Sequence, residues 1–204
     1  MYHNKSMENF DYLSRNNLLT TILLFFIFSF IGYLWETFLF LLKKRKFVNR
    51  GFLKGPWLPI YGYGMILILI LLSKFIKTPF LLFMLIILLC GLVEYITSFL
   101  LETLFNKKWW DYSNCFLNIN GRVCFAGLLF FGIVGIFCVY FITPFLLVKL
   151  SNFNYTFKTI VVSLLVTLYI IDNYNSIKKP NKGKNISVNV KKWSFQLGIF
   201  MLNL

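Results

Sequence analysis

Two stretches of this chain, Leu18–Leu42 and Val123–Leu147, each run for 25 residues, and Glu36 is the only charge in either. A third, Phe80–Phe105, is as long and holds only Glu94 and Glu102. About 20 apolar residues suffice for a helix to cross the hydrocarbon of a bilayer, where helices and closed barrels alone satisfy their own backbone. Shorter apolar runs at Leu58–Leu72 and Phe157–Ile171 complete the pattern. The chain is 58% hydrophobic and 14% charged, whereas soluble domains average about 45–50% and about 25%. These values exclude a soluble globular domain, a disordered chain and a secreted disulfide scaffold. The expected fold is all-α, a polytopic membrane helix bundle of about five transmembrane helices. The single membrane domain is expected over 18–171, with spans near 18–42, 58–72, 80–105, 123–147 and 157–171. A polar tail, 1–17, precedes it and a basic tail, 172–204, follows it.

The 21 Lys and Arg against 7 Asp and Glu leave a net charge of +14. These bases sit in loops between apolar runs, so their expected partners are anionic lipid head groups and not nucleic acid. With five spans, fifteen Lys and Arg fall on the side of loops 43–57 and 106–122 and the tail 172–204, and six on the other. The positive-inside rule then places the first group in the cytoplasm, with the N-terminus outside and the C-terminus inside. Residues 1–17 are polar and the run after them ends in no small-x-small site, which argues against a cleavable signal. The closing stretch Trp193–Leu204 is too short to span and is expected at the interface beside Lys191 and Lys192. Four cysteines without a Cys-x-x-Cys, and the single His3, give no expected metal site.

Three carboxylates interrupt the apolar runs: Glu36, Glu94 and Glu102. A charge in hydrocarbon costs several kcal/mol, so each must face protein or a water-filled cavity. Glu94 lies deepest, roughly 17 Å of helix from the end of its run. On the first span Ser29, Gly32, Tyr33 and Glu36 share a helical face, and on the third Gly91, Glu94, Ser98 and Glu102 do. Small and polar stripes of this kind mark helix–helix interfaces in membranes, and Gly127, Gly132 and Gly135 allow the fourth span a close approach.

The loop after the first span carries Asn49, Arg50, Gly51, Gly55, Pro56, Pro59, Tyr61, Gly62 and Gly64. Its prolines and glycines forbid a regular helix entry, and irregular backbone near hydrocarbon survives only inside protein or along a cavity. Arg50 has the fork geometry to hold a carboxylate or phosphate. The loop after the third span reads Trp109-Trp110-Asp111-Tyr112-Ser113. Tandem tryptophans beside lysines form an ordinary interfacial belt, but Asp111 does not belong in one, and its expected partner is Arg50 or Arg122. All these features fall on one side of the predicted bundle. They predict a polar pocket open to the cytoplasm and walled by the first three spans. Its candidate residues are Glu36, Asn49, Arg50, Tyr61, Glu94, Glu102, Trp110, Asp111 and Tyr112. Gly32, Gly51, Gly55, Pro56, Pro59, Gly62, Gly64 and Gly121 are the expected backbone positions, and no metal is expected.

The strings Asn49-Arg50-Gly51-Phe52-Leu53-x-Gly55-Pro56, Pro59-Ile60-Tyr61-Gly62-x-Gly64 and Trp109-Trp110-Asp111-Tyr112-Ser113 closely resemble the ABC-transporter type IV (CmpB-like) permease family of bacterial membrane proteins. Gly32-Tyr33-x-x-Glu36, Glu94-Tyr95-x-x-Ser98-x-x-x-Glu102 and Asn118-x-x-Gly121 are also similar to its pattern. Tyr33 stands where the family often has Trp, and Ser98 where it often has Gly. The resemblance covers about residues 18–147. It implies a multi-pass protein of the bacterial cytoplasmic (cell) membrane acting as the permease subunit of an ABC-type transporter. The chain has no Gly-x-x-x-x-Gly-Lys-Ser/Thr loop, so an ATPase would be a separate ATP-binding subunit, and a homodimer is the analogous assembly. No recognisable motif binds a cofactor. Two alternatives compete with transport: an intramembrane enzyme acting on a lipid or isoprenoid phosphate, and a scaffold or regulator without its own activity.

Overall fold

The computed structural model describes residues 11–14, 17–44, 49 and 51–178. Arg50 and the apolar end of the C-terminal tail lie outside the described residues. The chain is an all-α bundle. Helix α1 spans Leu18–Lys44, α2 Pro59–Leu72 and α3 Pro79–Phe105. A small antiparallel hairpin follows, β1 (Asn118–Ile119) against β2 (Val123–Cys124). Helix α4 (Phe125–Phe137) continues through a π-turn, Cys138–Ile142, into α5 (Thr143–Ser151). Pro144 explains the turn, since it has no N–H to give and its ring crowds the carbonyl one turn earlier. Helix α6 covers Tyr155–Lys178. Among the described residues four units are long and apolar enough to cross a membrane: Leu18–Leu42, Pro79–Phe105, Phe125–Ser151 and Tyr155–Lys178.

The second apolar run is different. With the 3-10 turn after it, α2 reaches only from Pro59 to Phe75. Its start explains why. The Leu58 amide donates to the Ser29 carbonyl at 2.9 Å, in the middle of α1. Ser29 lies fifteen residues before the end of α1, roughly 22 Å along its axis. The segment 51–58 therefore descends beside α1, and α2 begins partway down the bundle. Gly62 and Gly32 make the descent fit. A Cβ at Gly62 would strike the Ser29 hydroxyl and Phe25, and one at Gly32 would strike the Tyr61 ring.

Asp172 holds the descending segment from the other side. Its Oδ1 accepts the Lys54 amide at 3.1 Å and its Oδ2 accepts the Gly55 amide at 2.8 Å. The same Oδ2 accepts the Trp57 indole N–H at 2.8 Å, and the Ser176 hydroxyl reaches Oδ1 at 3.3 Å. Sequence placed the end of the fifth apolar run at Asp172. Helix α6 instead continues through it to Lys178, because these donors replace the water that a carboxylate needs.

The core is apolar, with Leu24, Leu69, Leu82, Ile86 and Val139 almost fully buried. Helices α3 and α4 meet at glycines, Gly132 against Phe83 and Ile87, and Gly135 against Ile86.

Candidate functional site

The segment 51–61, α1, α3 and the loop 109–112 enclose a cavity of about 470 Å³. Six of the nine candidate pocket residues line it, Glu36, Tyr61, Glu94, Trp110, Asp111 and Tyr112, and so do Gly51 and Pro59 of the expected backbone positions. Phe131 of α4 and Tyr169 and Asn173 of α6 close it, so its walls extend beyond the first three spans.

Glu36 accepts a hydrogen bond from the Tyr61 hydroxyl at 2.9 Å, tying α1 to α2. Glu94 is 4% exposed and projects from an otherwise apolar stretch of α3. Its Oε1 accepts the Tyr112 hydroxyl at 3.2 Å. Its Oε2 is buried and has no hydrogen-bond partner among the described residues. The Trp109 indole N–H, on the same cavity wall, is a second buried polar atom without a partner among them. Burial, and then the negative charge of Glu94 facing it, push the Tyr112 hydroxyl well above the ordinary tyrosine range. Tyr112 therefore stays a neutral donor at physiological pH.

The loop that delivers Tyr112 is fixed by its own chemistry. The Tyr112 amide donates to the Gly121 carbonyl at 2.7 Å, and the Trp110 indole donates to the Arg122 carbonyl at 2.9 Å. Asn118 accepts the Gly121 amide at 3.0 Å and donates to the Cys115 carbonyl at 2.9 Å. Gly121 has φ +68°, and a Cβ there would lie against Ser113 and Asp111. Asp111 accepts the Ser113 amide at 3.0 Å and also its hydroxyl. Partial burial alone would raise the Asp111 carboxyl, but the Ser113 bonds and nearby Lys108 outweigh it and hold it below the ordinary range.

The remaining candidates have other roles. Glu102 does not line the cavity. It pairs with Arg122 and, at 3.9 Å, with Lys108. Arg122 is thus the partner of Glu102 and not of Asp111, which takes Ser113; Arg50, the other expected partner, lies outside the described residues. The Arg122 guanidinium also lies over Tyr95 and Phe99, 5.6 and 5.5 Å from the ring centres. Asn49 folds the descending segment. Its side chain accepts the Gly51 amide at 2.9 Å and donates to the Lys54 carbonyl at 2.9 Å. Gly51 packs against Leu58 and Gly55 against Trp57, Pro59 opens α2, Pro56 is exposed, and Gly64 faces open space.

Sequence reasoning missed Asp172, Tyr169 and Asn173. An acidic residue at the edge of an apolar run looks like a boundary, and its partners lie more than a hundred residues away.

This arrangement defines the class: an integral membrane protein of packed apolar helices around an acidic chamber. A family model described as Putative ABC-transporter type IV matches residues 23–177, and the chain belongs to that family. No curated protein matches the chain. No solved structure matches it either.

Proposed function

We propose that this protein is the membrane permease subunit of a bacterial ABC-type transporter and that the acidic cavity is its substrate chamber, open to the cytoplasm. The observation that carries this reading is Glu94. A carboxylate with one unpartnered oxygen, set in an apolar helix, is costly unless something that passes through the chamber uses it. The orientation rests on the fifteen-to-six bias of Lys and Arg toward the side of loops 43–57 and 106–122. ATP binding falls to a separate subunit docking on those loops, because this chain has no phosphate-binding loop.

An enzyme acting on a lipid phosphate would need cations or a metal at the site. Among the described residues the cavity wall offers carboxylates and no Lys, Arg or His. No cluster of three or more His, Cys, Asp or Glu able to hold a metal occurs among them.

The test is purification of the tagged chain from its native membrane in mild detergent, with co-purifying proteins identified by mass spectrometry. A stoichiometric ATP-binding subunit is expected. A clean preparation lacking one, with no ATPase activity restored by candidate ATPases of the same cell, would overturn the reading.

A further inference from the structure

A second cavity, about 330 Å³, lies behind the first and is almost wholly apolar. The two share the walls Ile60, Tyr61, Val93, Glu94 and Phe131. The second is lined by Gly64, Ile68 and Cys90 and by Ile31, Trp35 and Phe137, the last three exposed. Trp35 of α1 and Phe130 of α4 stack across it, with ring centres 5.6 Å apart and planes at 17°. Gly64 looks into open space, with nothing within 4 Å of where a Cβ would stand.

We propose that the two cavities form one amphiphile site, taking a single-chain lipid-like ammonium compound with its head at Glu94 and its chain in the apolar cavity. This rests on the transport reading and names the class of substrate. The head is assigned by charge complementarity. Glu94 lines both cavities, and its Oε2 is a buried acceptor without a partner among the described residues. Tyr61 and Phe131 also line both, where an ammonium gains from aromatic faces as well as from the carboxylate. An anionic head would meet Glu36, Glu94 and Asp111. The chain is assigned by the apolar walls, which offer no gain to a free small cation. A solute of this shape enters sideways from the lipid, past Ile31 and Phe137.

Binding is measured on the full chain in nanodiscs of zwitterionic lipid, with empty nanodiscs subtracted, using radiolabelled dodecylammonium, propylammonium and dodecyl sulfate. Saturable dodecylammonium binding is expected, at least tenfold tighter than propylammonium, with no saturable binding of dodecyl sulfate. Glu94→Gln weakens dodecylammonium at least tenfold. Gly64→Leu puts a side chain on the wall of the apolar cavity, where its Cβ meets nothing within 4 Å, and weakens dodecylammonium at least tenfold, while leaving propylammonium within threefold. Thermal unfolding verifies that both variants fold. Equal affinity for the short and long ammonium would overturn the chain assignment. Sulfate binding that matches ammonium, or indifference to Glu94→Gln, would overturn the head assignment, and the absence of saturable binding would overturn both. The assay uses no ATPase, so its failure is distinct from failure to find an ATP-binding partner.

Discussion

Asp172 and Glu94 are both carboxylates on long apolar helices, and they lead opposite lives. Asp172 accepts four donors, two of them backbone amides of the descending segment. Glu94 accepts one, from Tyr112, and keeps its second oxygen free of partners among the described residues. The contrast separates two reasons for keeping an acid in a membrane bundle. At Asp172 the charge is consumed in holding irregular backbone, whose amides at Lys54 and Gly55 it accepts. At Glu94 one carboxylate oxygen is left buried without a partner among the described residues. Glu102 falls between them, neutralised by Arg122 and Lys108 near the end of α3.

The largest expected effect breaks the first half of the contrast. Asp172→Ala strands two amides and an indole N–H, and hydrogen bonds to a charged group are worth roughly 1.5–3 kcal/mol each. With partial relaxation, the loss should be about 3 kcal/mol, read as a lowered thermal midpoint of the purified chain. An unchanged midpoint would mean that the segment does not depend on this latch.

Glu94→Gln probes the other half. Removing an incompletely satisfied buried charge is neutral or stabilising, so the midpoint should hold or rise while ligand binding and transport fall at least tenfold. A midpoint that drops in step with activity would make Glu94 a structural acid like Asp172. Tyr112→Phe deletes the one donor that Glu94 has among the described residues and should cost about 1 kcal/mol of stability. Combined with Glu94→Gln, its effect should be smaller than alone, and a double-mutant cycle measures the difference.

The smallest effect concerns the hairpin that carries Tyr112. Burial, and then neighbouring Cys124, push the Cys115 thiol up to about 11. The thiolate is the reactive form. Maleimide labelling of a variant whose only cysteine is Cys115 should therefore be slow at pH 8 and rise about tenfold per pH unit above it. Removing Cys124 in that variant leaves burial as the main cause. Ordinary labelling rates at pH 8 would show that the hairpin opens without ligand.

Much of this was legible in the chain. Runs of 25 residues with at most one charge admit few structures other than spanning helices, and the Gly/Pro-rich segment before Tyr61 announced irregular backbone. Glu36, Tyr61, Glu94, Asp111 and Tyr112 stood out as polar groups in apolar surroundings, and they line one cavity. What could not be read was pairing across distance. Glu102 and Asp111 are both acids near the same loop, and only the hairpin geometry gives Arg122 to the first and Ser113 to the second. Asp172 looked like the end of a span because its partners come from residues 54–57. The apolar cavity had no signature either, since Gly64 and Cys90 are ordinary residues until α2 and α3 face each other.

The short reach of α2 has an electrical consequence. Where the segment 51–58 descends and the chamber above it admits water, the insulating part of the protein shrinks to little more than the length of α2, about 21 Å. The membrane voltage then drops mainly across that thinner barrier. A cation held at Glu94 would sit near the potential of the cytoplasm, and carrying it outward would traverse most of the field, worth ~2.3 kcal/mol per charge for each 100 mV. The direction in which a charged solute moves through this bundle would thus be biased by voltage as well as by ATP.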